Sequence, residues 1–94
     1  MKSGEVLHTL QAWKNERFEI LALWVSGTSR RSPGYTTLSF KASVSDVNES
    51  ELHLEGSGEL AGFFNLDDAS WTGTDRGSVR IGFESGASLT LSMP

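Results

Sequence analysis

Ile20-Leu21-Ala22-Leu23-Trp24-Val25 is apolar at every position. Side chains alternate between the two faces of a strand, so this extended segment presents apolar groups to both sides and asks for cover on both. The rest of the chain has to be arranged around it.

Upstream, Ser3 can cap a helix, Glu5 sits in the first turn where the dipole favours an acid, and Val6, Leu7, Leu10 and Trp13 recur at helical spacing. The spacing predicts a helix over about residues 4–14. Asn15 suits the left-handed position just past its end, and Glu16-Arg17 leads into a first strand over about residues 18–25. The helix stripe needs a surface and the strand needs a cover, so each answers the other.

Downstream, Ser-Gly-Thr-Ser-Arg-Arg-Ser-Pro-Gly at 26–34 holds no large apolar side chain and ends in a turn signal, which makes it the longest loop. Leu38, Phe40, Ala42 and Val44 then alternate with polar residues, the period of a strand over about 35–45 with one face on a core. After a turn at 46–50, pairing Val44 with Leu52 and Ala42 with Leu54 keeps apolar residues together and turns His53 and Glu55 outward. Gly56-Ser57-Gly58, Asp75-Arg76-Gly77 and Glu84-Ser85-Gly86 each read as a three-residue hairpin loop ending in a glycine with positive φ. The first sets Leu54 opposite Leu60 and Glu55 opposite Glu59. The second sets Trp71 opposite Ile81 and Gly73 opposite Val79. The third sets Phe83 opposite Ala87, Ile81 opposite Leu89 and Val79 opposite Leu91. Strand 78–84 then lies between two neighbours, and Gly73 and Gly82 leave room for bending or for a large neighbour such as Trp71. On these registers Trp13, Trp24 and Trp71 are all expected to be buried. Adjacent Phe63 and Phe64 must face opposite ways, which makes Phe63 a candidate for an oligomer interface.

The expected fold class is therefore mainly β: one domain, residues 1–94, with the helix followed by an antiparallel meander of six or seven short strands over about residues 18–93. Curling into a small barrel with the helix over one opening satisfies such a meander, because a flat sheet leaves long edges and a bare face. An open sheet dimerising face to face is the alternative.

Composition narrows the function classes. The hydrophobic fraction of 37 % and ten glycines bring the apolar share close to the about 45 to 50 % of ordinary globular chains. A domain this small buries only about 60 to 65 % of its unfolded surface, so self-association is expected. The absence of cysteine excludes disulfides, thiolate metal sites and cysteine nucleophiles, and points to the cytoplasm as compartment. No run approaches the roughly 18 apolar residues of a membrane span, and no targeting address stands out. The net charge of −4 hides an asymmetry: residues up to Ser45 are basic on balance, whereas Arg76 and Arg80 alone oppose nine acids from Asp46 onward. The two halves suit either a head-to-tail contact or a mixed solvated surface.

A helix followed by curved antiparallel strands, with Ala42-x-Val44-x-x-Val47-Asn48 and Leu52-x-Leu54 between them, resembles the Sm-like small barrel over roughly residues 3–66. Asn48 stands in place of that family's acid, no asparagine immediately precedes Leu52, and the spacing is one residue short. Val79-Arg80-Ile81-Gly82 is similar to the family's Arg-Gly pair, with a residue inserted. The resemblance implies ring formation through strand-to-strand contacts and binding of single-stranded RNA.

Catalytic chemistry finds little support. His8 and His53 lack ligand-spaced partners, Asp67-Asp68 with Asp75 lacks the spacing of a calcium loop and reads as a turn, and the serines have neither an elbow nor a base. No cofactor or metal is expected. Three function classes stand side by side: a non-catalytic assembly or binding module that forms homo-oligomers; an RNA-binding module using Arg30, Arg31, Tyr35 and Arg80; and, with least support, a small enzyme.

Overall fold

The computed structural model describes residues 4–26, 36–56 and 61–93. One helix, α1 (Gly4–Glu16), precedes seven strands: β1 (Ile20–Ser26), β2 (Thr36–Val47), β3 (Glu51–Gly56), β4 (Ala61–Asn65), β5 (Ala69–Asp75), β6 (Ser78–Phe83) and β7 (Ser88–Ser92). A single 3₁₀ turn, η1 (Leu66–Asp68), joins β4 to β5. All pairings are antiparallel, in the order β4-β3-β2-β1-β7-β6-β5. The all-apolar segment is therefore the central strand, and β7 pairs with β1 as barrel closure demands. The sheet is open only between β4 and β5.

The sheet is strongly curled. Phe64 on β4 and Phe83 on β6 are five strands apart in the sheet order, a separation of about 24 Å if the sheet were flat. Their ring centroids lie 6.5 Å apart. The helix turns Val6, Leu10 and Trp13 to the core and packs mainly against β2, with a smaller contact to β5. Lys14 Nζ lies 3.2 Å from Asp46 Oδ1 beside β2, and Thr74 Oγ1 on β5 donates to Glu5 Oε2 at 3.4 Å.

Val6, Leu10 and Trp13 supply the buried stripe of α1, as their spacing predicts. The helix runs to Glu16, beyond the expected end, and the left-handed residue is Arg17 (φ 54°) in place of Asn15. Phe18 N–H donates to Trp13 O and Arg17 N–H to Lys14 O, each at 3.2 Å. This pair of bonds is the Schellman arrangement, which satisfies two carbonyls of the last turn. Ser3, the expected cap, lies outside the described residues. Ile20 and Ala22 join Val44, Leu52, Leu54, Leu66, Val79, Ile81, Leu89 and Leu91 in a core that contains no buried polar or charged residue among those described.

Strand registers follow the sequence in part. Ile81 opposite Leu89 and Val79 opposite Leu91 are found as expected, Phe83 N–H donates to Ala87 O, and Gly86 has φ 90°. Between β5 and β6 the loop has two residues, Arg76 and Gly77 (φ 65°), because Asp75 pairs with Ser78. One residue fewer in the loop turns the whole strand over. Thr72 stands opposite Ile81, and Trp71 stands opposite Gly82 on the outer face, where it is 50 % exposed. A bulge between Ala69 and Trp71 restores Ala69 to the inner face opposite Phe83. A second bulge, at Ser45, shifts β2 against β3, so that Val44 pairs with Leu54 and Val47 with Leu52. Val44 and Val47 are three residues apart and both buried, which the bulge alone permits; Ser45 Oγ donates to His53 O across it. Asn48 tightens the following turn by accepting from the N–H groups of Ser50 and Glu51. Leu54 faces Gly62 and Glu55 faces Ala61, in place of the expected Leu60 and Glu59, of which Glu59 also lies outside the described residues. Gly58 and Leu60 lie outside the described residues.

Candidate functional site: the open seam of the sheet

The seam between β4 and β5 is where the fold departs from a closed barrel, and η1 bridges it. Asp67-Asp68 forms a turn, as its sequence suggests, and Asn65 caps it by accepting from Asp67 N–H at 3.0 Å. Leu66 is fully buried and acts as its anchor. Its N–H donates to Ser50 O, and Glu84 N–H donates to Asp68 O at 3.0 Å. The strap thus ties the β2–β3 turn to the β6–β7 turn.

Beneath it lies a cleft of about 420 Å³. Trp24, Phe63, Phe64 and Phe83, from strands β1, β4 and β6, line it together with the polar residues Asn65, Asp68, Glu84 and Ser85. Trp24 is tilted by 44° to Phe64 and 55° to Phe83, at centroid separations of 5.3 and 5.6 Å. At these separations the tilted rings pack directly on one another. Asp68 and Glu84 are both exposed, and neither is in an ion pair among the described residues. Trp24 is half-buried and packs against the core while its ring also reaches the cleft.

The outer face of the sheet is a second candidate surface. Leu21 and Leu23 on the central strand remain 42 % and 40 % exposed, so the chain by itself covers only one of the two faces the segment presents. Ser92 and Lys41 flank Leu21, and Thr90 and Ser39 flank Leu23. Phe63 does point away from Phe64 and is 58 % exposed on the edge strand β4, meeting His53 edge-on at 4.8 Å. His53 Nε2 lies 3.3 Å from Glu51 Oε2, so this histidine is a half-buried part of the outer surface, whereas His8 is exposed.

Arg30, Arg31 and Tyr35 lie outside the described residues. Arg80 is exposed on the outer face, opposite Gly73 and Thr90. It stands apart from the aromatic cleft, which opens from the inner side. Near the helix C-terminus, Lys14 and the Val47 N–H hold the Asp46 carboxyl below the usual aspartate range, Lys14 contributing most. Among the described residues no three histidine, aspartate or glutamate side chains converge to hold a metal ion, and no helix is long and apolar enough to cross a membrane. Sequence reasoning missed the cleft, because its walls come from residues 24, 64 and 83. Comparison of the chain with models of protein families, with curated proteins and with solved structures finds no match.

Proposed function

We propose that this chain is a non-catalytic assembly module that acts by self-association through the outer face of its sheet. The observation that carries this reading is the exposure of Leu21 and Leu23 on the most central strand. A monomer has polar choices at those positions, and uses them on the same face of the neighbouring strands, at Ser39, Thr90 and Ser92. An apolar centre ringed by Ser, Thr, Lys41 and Arg80 has the anatomy of an interface core and rim. A stable interface needs about 800 Å² per partner, and Trp71 and Phe63, 50 % and 58 % exposed on the same outer face, add to the apolar area that Leu21 and Leu23 offer.

A second arrangement is favoured by Phe63. β4 is an edge strand with neither charge nor proline, and edges of that kind invite pairing with another chain. Pairing the β4 edge of one copy with the β5 edge of the next would build an Sm-like ring, and the order of helix and curled strands supports that kinship.

Sedimentation equilibrium at micromolar concentration tests the proposal. A strictly monomeric chain rejects both arrangements. If copies meet face to face, Leu23→Lys disperses them and Phe63→Lys does not; ring formation predicts the reverse. Single-stranded RNA is the competing ligand, and binding of labelled oligonucleotide that weakens steeply with salt would favour it.

A further inference from the structure

We infer that Trp71 is the anchor of self-association, held ready for a second copy of this chain by Gly82. The inference rests on the assembly through the outer face proposed above, and it assigns the side chain that carries that assembly. Trp71 stands opposite Gly82 on the outer face, and the point that a β-carbon of residue 82 would take falls against Nε1, Cε2 and Cδ1 of the indole. The three distances together place that point above the ring plane and not in it. One face of the indole therefore lies on the bare backbone of Gly82. The opposite face is turned to solvent, in keeping with an exposure of 50 %. Glycine alone leaves room for such a seat.

The seat also carries the ring inward from the sheet edge. β5 is an edge strand, yet the indole lies over β6. Gly82 is followed across the sheet by Ser88 and then by Val25, which shares its face of β1 with Leu21 and Leu23. Two strand spacings, about 10 Å, thus separate the ring from the exposed apolar centre, with only a small side chain between. A second copy that covers the leucines reaches Trp71 as well. Interface anchors are rigid aromatic side chains, tryptophan foremost, because a ring already ordered in the free chain loses little freedom on association. Leu21 and Leu23 offer smaller side chains, and Phe63 meets its neighbour His53 edge-on. A nucleic-acid base would also stack on an indole, but the phosphates it brings need cations around the ring. Arg80 is the one cation on β5, β6 and β7, Asp75 offsets it on the same face, and the chain carries a net charge of −4.

The test combines sedimentation equilibrium of the full chain with its indole N–H signals, labelled with nitrogen-15 and followed on dilution. The Trp71 signal, assigned by its loss in Trp71→Phe, is expected to move as copies associate. Trp71→Ala should weaken association at least about thirtyfold, the loss that marks an anchor residue. Gly82→Ala keeps the indole but removes its seat, and should weaken association as well, with circular dichroism reporting whether each variant is folded. The wild-type signal needs no substitution, so a variant that fails to fold leaves the test intact. Copies that associate while the Trp71 signal holds still on dilution would overturn the inference and leave the assembly reading standing. A chain that is monomeric throughout rejects the assembly reading and this inference with it. A Trp71 signal that moves with single-stranded oligouridylate and not with protein concentration would overturn it in favour of base stacking.

Discussion

Substituting Gly82 by alanine should expel the Trp71 ring from its seat on the sheet. A β-carbon at position 82 would overlap Trp71 Nε1 and Cε2, so the ring cannot remain where it is. The ring is free on its solvent side, being 50 % exposed, and it swings outward without disturbing β6. The cost is the contact area it surrenders. Half of the 150–250 Å² that a large aromatic buries, at 25 cal/mol per Å², is about 2–3 kcal/mol as an upper bound. Alanine offsets about 0.5–1 kcal/mol of that, because glycine loses more freedom on entering a strand. The net destabilisation is therefore about 1–2 kcal/mol, a large part of the stability of so small a domain. Urea unfolding followed by circular dichroism measures it, and a double-mutant cycle with Trp71→Ala isolates the cause. In the Trp71→Ala background, Gly82→Ala should be neutral or slightly stabilising. Equal destabilisation in both backgrounds would refute the reasoning, since the loss would then lie in the backbone and not in the seat.

Other substitutions probe separate features. Arg17→Gly should raise the urea midpoint by the equivalent of about 0.5–1 kcal/mol, because glycine takes the left-handed conformation without the steric penalty that arginine bears at φ 54°. Lys14→Gln should raise the Asp46 pKa toward the ordinary value, as read by carbon-13 titration of its carboxyl group, because Lys14 is the main cause of the depression. A depressed carboxylate adds stability above its unfolded pKa of about 3.9 and loses it as pH falls through the lower folded value, so the wild type and variant should converge in strong acid. The exposed position of this pair keeps the effect on unfolding small. Leu66→Ala should cost about 2–5 kcal/mol and speed hydrogen exchange at the Glu84 amide, because the leucine that anchors η1 is completely buried. Unchanged exchange at Glu84 would show that the strap holds without its anchor.

The residues themselves determined the features that depend on near neighbours. Val6, Leu10 and Trp13 lie on one helix stripe whatever surrounds them, and the Glu84-Ser85-Gly86 loop admits one apolar register for β6 and β7. Asp75-Arg76-Gly77 is different, because the same glycine can close a loop of two residues or of three. The choice belongs to the interior: Ile81 and Leu89 are already fully buried, Thr72 fits the remaining inner position, and the bare backbone of Gly82 gives Trp71 a seat outside. In β2, the polar run around Val47 reads as a turn from residue 46, and only packing of both Val44 and Val47 inward carries the strand on to Val47 through a bulge at Ser45. The curl of the sheet was legible as a way to avoid bare faces and edges, but its degree was not. Trp24, Phe64 and Phe83 are far apart along the chain, and no local pattern links them. Tertiary structure alone decided the cleft, because bringing β4 and β6 together requires the cumulative curvature of all the strands between them.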